Sequence, residues 1–437
     1  MFNKILQFTQ SKTESLYKNS LFLQNIDKLI FASIIAVFLA STVMSSDVIG
    51  FIALITVFLT FVKILFKPDE RLECKTFDLW LLAYFMIVII SLAGSTLFHL
   101  SLKGFFKTFT YLAFYASTVQ YLKNNKDKIP FIFAAIGVCV SFEAVVGFLQ
   151  NFAHVEEIST WQDVSNLNPE QVMTRVYGTL KPLNPNLLGG YFVAGIPAVY
   201  GLSAYFLNEK RYKRSLITLA LALLSTVTLF LTGCRGSYIG MMIIMAGMFA
   251  VSAKYLWQNY KQIYLSLVGG VFALVTFAIL LSSSLRARVL SIFAMRQDSS
   301  NSFRFNVYQS SFEMFKDNWL LGIGVGNKNF REIYGLYMKT GFDALSAYNI
   351  YLEIAVESGI FALIAYLGFL ITLIKDSVKF ILKSADTKSV IFVSAALISI
   401  CAVSIHGLVD TVFFRPQIQF IFWTMAAVIS SCQCERK

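Results

Sequence analysis

Five arginines, Arg286, Arg288, Arg296, Arg304 and Arg331, lie within residues 283–347, a long polar stretch in an otherwise apolar chain. Guanidinium groups hold phosphates and carboxylates through paired N–H donors, so such a cluster points to an anionic ligand. A second signal is the short turn Thr232, Gly233, Cys234, Arg235, Gly236, Ser237. Its glycines let a ligand approach the backbone around Arg235; the competing use of Arg235 is snorkelling to lipid headgroups. Between Phe303 and Phe315, Arg304, Tyr308 and Ser311 form a polar stripe beside an apolar face of Phe303, Val307, Met314 and Phe315. This spacing predicts an amphipathic helix lying on the membrane surface, with Arg304 at headgroup level, where a diphosphate would sit or where an interfacial arginine would simply be solvated.

Carboxylates and their partners come next. Asn349, Glu353 and Glu357 recur at i, i+4 and i+8 of one helix, which sets Glu357 about 12 Å deeper than Asn349. A carboxylate at that depth costs about 2 to 3 kcal/mol unless it meets a cavity or a cation, and Lys107 or one of the arginines is the expected partner. Glu143 is a second intramembrane carboxylate, expected to bond between helices. His406, Asp410 and Arg415 gather at the end of one span and its turn, with an Asp410–Arg415 ion pair as the simple reading. Asn184 followed by Pro185 reads as a helix cap and first turn, leaving Asn186 for a ligand. The run Gly322, Ile323, Gly324, Val325, Gly326, Asn327 has no βαβ context and is no dinucleotide loop; it is a turn or an anion nest.

The elements that must position these groups are membrane helices. The chain has 437 residues, 57% of them hydrophobic and only 14% charged, which makes it an all-α polytopic membrane protein. Apolar spans are expected near 29–45, 47–66, 79–97, 104–122, 130–152, 187–206, 216–232, 237–253, 263–282, 348–374, 389–408 and 418–431. The chain is read as a single integral membrane domain over 1–437, with two large external loops, 153–186 and 283–347. With the N-terminus in the cytoplasm, the cytoplasmic connections hold 22 of the 37 Lys and Arg and the external ones 13, as the positive-inside rule requires. Lys63 and Lys107 fall inside spans near their ends and are expected to snorkel. Both termini are then cytoplasmic, and the first span is expected to act as a signal anchor.

The net charge of +12 follows from topology, so no nucleic-acid partner is implied. Six scattered cysteines and three histidines, His99, His154 and His406, suggest neither a disulfide framework nor a metal site. No phosphate-binding loop for ATP is present, and no cofactor is expected.

Taken in order, GTLKPLNPNLLGGY at 178–191, TGCRGSYIG at 232–240, SFRFNVYQ at 302–309 with DNWLLGIGVGNKNF at 317–330, and SAYNIYLEIAVESG at 346–359 resemble the O-antigen ligase and polymerase superfamily of bacterial envelope proteins. The resemblance covers about residues 170–430. It implies about twelve spans, a large external loop with an amphipathic helix, and transfer of a glycan from an undecaprenyl diphosphate carrier without a metal at the outer face of the bacterial inner membrane. Arg235 and Arg304 fall on the family's arginines. Where the ligases have His-Asn, this chain has Tyr348 and Asn349; a tyrosine with a reference pKa near 10 is a poor general base, so Glu353 is the alternative. AYNIYLEIAVESG together with HGLVDTVFFRPQIQ at 406–419 also resembles the cyanobacterial branch described as inorganic-carbon (bicarbonate) transporters. Three functions therefore stand as expectations: transfer of a lipid-linked glycan, passage of a small anion such as bicarbonate, and binding of a lipid-linked glycan without turnover. In the transfer reading the catalytic set is Arg235, Arg304, Tyr348 and Glu353, and the binding set is Lys107, Asn184, Asn186, Arg288, Asn349, Glu357, His406, Asp410 and Arg415.

Overall fold

The computed structural model describes residues 2–68, 70–72, 75–153, 175–292 and 299–433. Two helices, α1 (Phe2–Asn19) and α2 (Leu21–Gln24), precede the first span. Nine long helices follow: α3 (Ile26–Val43), α4 (Ser46–Phe66), α5 (Thr76–Gly94), α6 (Phe98–Leu122), α7 (Ile129–Gln150), α8 (Pro185–Asn208), α9 (Tyr212–Leu231), α10 (Arg235–Leu256) and α11 (Lys261–Leu281). The polar stretch carries α12 (Ser283–Leu290), α13 (Ser299–Asp317) and α14 (Asn327–Tyr334). The chain closes with α15 (Ile350–Lys383), α16 (Thr387–His406) and α17 (Pro416–Cys432).

Every span expected from hydropathy is met by a helix. Ten of these helices are long and apolar enough to cross a membrane. The other two are α6, with His99, Lys103 and Lys107 in its first half, and α17, which has 17 residues. Helices α8, α16 and α17 form the centre, enclosed by α6, α7 and α10. Asn184 caps α8, its Oδ1 accepting the Asn186 N–H at 2.7 Å, with Pro185 at the first helical position.

Helix α15 is broken where Gly359 takes φ 78°. The break frees carbonyls that a continuous helix would use, and the glycine-rich run takes them. Ile323 N–H donates to Val356 O at 3.0 Å and Gly324 N–H to Glu357 O at 2.9 Å, while Ile360 N–H turns to Trp319 O at 2.9 Å. Positive φ at Gly322, Gly324 and Gly326 shapes the run for this. Three of its donors are thus engaged by α15, the third being Gly326 N–H, which donates to Glu357 Oε1 at 2.8 Å.

Two expectations are corrected here. The apolar face of α13 does not rest on lipid: Val307 and Met314 are buried in a separate core with Ile323, Phe330, Tyr334, Ala347 and Val356, and Phe303 and Phe315 pack against it. The spacing was helical, but the partner is protein, because the loop brings its own apolar residues. Lys63 does not snorkel. It is fully buried, 3.0 Å from Asp27 Oδ1 and 3.6 Å from Glu70 Oε2, and Glu70 is also bonded by Gln120 at 2.6 Å. An ion pair within reach keeps the lysine inside.

An added Cβ at Gly359 would fall 2.2 Å from Leu320 O, whereas one at Gly269 on α11 meets nothing within 4 Å. Gly359→Ala should therefore lower stability by about 3 kcal/mol or more, and Gly269→Ala should leave it unchanged or raised by up to about 1 kcal/mol. Thermal unfolding in detergent compares the two variants directly.

Candidate functional site

A cavity of about 1350 Å³ opens at the start of α4 and beside the middle of α6, next to α13 and α14 and the turns before α8, α15 and α17. Among the described residues, six cationic side chains line it, Lys107, Arg175, Arg304, Lys328, Arg331 and Arg415, against two carboxylates, Asp47 and Asp410, with Arg331 also paired to Asp343 at 2.7 Å. Such an excess of positive charge within low-dielectric walls concentrates an anion. Phe51, Leu54 and Phe106 make one flank apolar, and these side chains are 65%, 41% and 57% exposed on the outside of the bundle.

Backbone carbonyls and a side-chain amide help to orient three arginines near the cavity. Arg175 Nε donates to Thr232 O at 2.8 Å and its Nη2 to Asn186 Oδ1 at 2.6 Å. Arg288 Nε donates to Gly233 O at 2.8 Å, and Arg235 Nη1 donates to Ser291 O at 3.2 Å. The turn at 232–234 thus gathers three guanidinium groups. Burial, then the like charges of Arg175 and Arg235, pull Arg288 down to about 10. Arg288 and Arg235 stand behind Arg175, outside the cavity wall.

Arg304 lies on the wall. Its Nη2 is 3.5 Å from Asp410 Oδ2, and its guanidinium sits 5.9 Å from the centre of the Tyr348 ring. The expected Asp410–Arg415 pair is corrected: the helical turn at 412–414 carries Arg415 onto the wall and leaves Asp410 facing Arg304 and accepting the Val412 N–H at 3.1 Å. Tyr348 adopts φ 51°, a strained conformation for a tyrosine. Burial and the Asp410 carboxylate push its phenol above the ordinary value, with Arg304 pulling the other way. At neutral pH this phenol keeps its proton.

The other expected residues are placed as follows. Asn184 and Asn186 line the cavity. Asn349 caps α15, its Oδ1 accepting from Tyr351 N–H and Leu352 N–H at 2.9 and 3.0 Å, and its Nδ2 donating to Leu408 O at 3.1 Å. Glu353 and Glu357 meet backbone donors where a cation was expected: Glu353 Oε2 accepts the Ala347 N–H at 3.1 Å. Both line a smaller cavity of about 60 Å³, which shares Lys107 with the large one. Glu353 Oε1 is buried with no hydrogen-bond partner among the described residues. His406 is buried behind Asp410, its Nε2 4.0 Å from Cys234 Sγ. Glu143 ties α7 to the segment before α8 through the Thr179 N–H and hydroxyl, at 2.9 and 2.5 Å. Arg296 and His154 lie outside the described residues.

Arg175 and Cys234 escaped the sequence reading. Arg175 could have been found by the argument applied to Arg235, an arginine on the side where the rule makes it scarce. Cys234 stood inside a motif read for its arginine.

Together these features define a multi-pass helical membrane protein that opens a cationic cavity at one face of the bundle. Residues 220–367, from α9 into α15, match the O-Antigen ligase family. The match spans Arg235, Arg288, Arg304, Tyr348, Glu353 and Glu357, and it supports the O-antigen ligase and polymerase superfamily for this chain. No curated protein matches the chain.

Pyrophosphate should bind the detergent-purified protein, and Arg175→Gln should weaken it about 10-fold, since a charged hydrogen bond is worth about 1.5 to 3 kcal/mol. Binding should also weaken as salt is raised, because screening reduces the attraction of a cationic wall for an anion. Calorimetry at several salt concentrations checks both; equal affinity in wild type and variant would remove this cavity as a diphosphate site.

Proposed function

We propose that the protein binds an undecaprenyl-diphosphate-linked glycan in the cationic cavity, at the outer face of the bacterial inner membrane, and transfers the glycan to an acceptor hydroxyl. The observation that carries this reading is the joining of a six-cation wall to an apolar flank that continues onto the outside of the bundle. A diphosphate fits the first and a polyprenyl tail the second. About 1350 Å³ exceeds what a small ion such as bicarbonate fills.

In this reading, Arg304 exchanges Asp410 for a phosphate oxygen, and Arg175 holds the second phosphate. Arg235 and Arg288 add positive field from behind. The acceptor oxygen attacks the anomeric carbon as the bond from that carbon to the diphosphate oxygen breaks, and the electron pair leaves with the lipid diphosphate. Fixed guanidinium groups stabilise the charge that develops there. The acceptor proton passes through water in the smaller cavity to Glu353, whose Oε1 is open to it. Tyr348, protonated and held against Arg304, orients the donor.

Arg304→Ala should reduce transfer by about 100-fold or more, and Arg304→Lys should fail nearly as badly, because a point charge does not reproduce the planar fork. The assay is transfer by purified protein in liposomes from a lipid-diphosphate glycan to a lipid-anchored acceptor. Bicarbonate uptake is measured on the same vesicles. Uptake without transfer would replace this reading with the small-anion one, and tight donor binding without turnover would reduce the protein to a binder.

A further inference from the structure

We propose that Cys234, His406 and Asp410 form a binding site for a divalent ion of the zinc class, set beneath the cavity and independent of the transfer reading. The ligand atoms of the three residues lie within 4.8 Å of one another, and each residue is buried, at 3%, 2% and 4% exposure. Sulfur, imidazole nitrogen and carboxylate oxygen are donors that tetrahedral zinc accepts together. Ligand bonds of the usual length would bring the donors to about 3.5 Å of each other, a small adjustment from the 4.0 Å between Cys234 Sγ and His406 Nε2.

The imidazole is held in place for this. A Cβ at Gly236 would fall 2.9 Å from His406 Cδ2 and Nε2, and one at Gly190 would fall 3.4 Å from Cε1. The ring is thus clamped between α8 and α10. The sulfur is positioned as well: the Ser237 hydroxyl, one turn along α10 from Cys234, is fully buried and interacts with the Cys234 sulfur.

Charge is the main objection, because Arg304 lies 3.5 Å from Asp410. A thiolate and a carboxylate together cancel a dication, so the filled site would be neutral as seen by Arg304. Asp410 also has enough lone pairs to keep Arg304 and the Val412 N–H while ligating. Such an ion would tie the start of α10, and so Arg235, to the turn between α16 and α17.

The test is metal content by mass spectrometry of the purified full chain, together with cobalt(II) titration under anaerobic conditions. Wild type should take up about one ion per chain and show the near-ultraviolet charge-transfer band of a cobalt thiolate. Cys234→Ala and His406→Ala should each lose both signals, and Cys432→Ala should keep them. Less than about a tenth of an ion per wild-type chain after addition of zinc or cobalt would overturn the proposal, and so would an undiminished band in Cys234→Ala. If neither variant folds, the cobalt titration of wild type decides alone. Loss of glycan transfer leaves these readouts untouched, so the two readings fail separately.

Discussion

The broken helix α15 and the glycine run laced into it carry the rest of the architecture. Inside an apolar slab, a backbone carbonyl without a donor costs several kcal/mol, so a break at Gly359 survives only if something repairs it. Residues 323, 324 and 326 do so, two on carbonyls and one on the Glu357 carboxylate. The same run packs closely against α6 at Gly104, where a Cβ would fall 2.3 Å from Val325 O. Helices α13 and α14 flank this knot, so Arg304, Lys328 and Arg331 inherit their positions from a hydrogen-bond exchange that involves none of them.

Electrostatics in the cavity follow from how the arginines are held. Arg175, Arg235 and Arg288 donate to backbone carbonyls of Thr232, Ser291 and Gly233, bonds that fix the direction of each guanidinium. Burial, with the like charges of Arg175 and Arg235 added to it, lowers Arg288. Arg304 faces the Asp410 carboxylate, and in the transfer reading its exchange of partners separates an empty cavity from a filled one.

Much of this was legible in the sequence because membrane helices announce themselves by length and apolarity, and caps by residue type. The twelve spans, the Asn184–Pro185 start and the helical spacing from Phe303 to Phe315 are local signals. What was not legible is pairing. Periodicity shows that α13 has an apolar face but not whether lipid or protein covers it, and an acid a few residues before a base invites a pair that the turn at 412–414 prevents. Lys63 near a span end looks like a snorkelling lysine until Asp27 and Glu70, from two other segments, arrive beside it. The family match reaches only 220–367; Lys107, Asp410 and Arg415 stood out in the sequence beyond it, while Arg175 had to be found by where the fold brings it.

The ionic lattice around Lys63 has a further meaning when set against the cavity at the other end of α4. Asp27, Lys63, Lys67 and Glu70 close one end of the bundle with opposite charges in contact, while Ser46 and Asp47 stand at the rim of the open one. One helix thus carries two opposite electrostatic solutions, charges neutralised against each other at one end and a surplus of cations beside its other end. An anion drawn along α4 would find a reason to stop at only one of its ends.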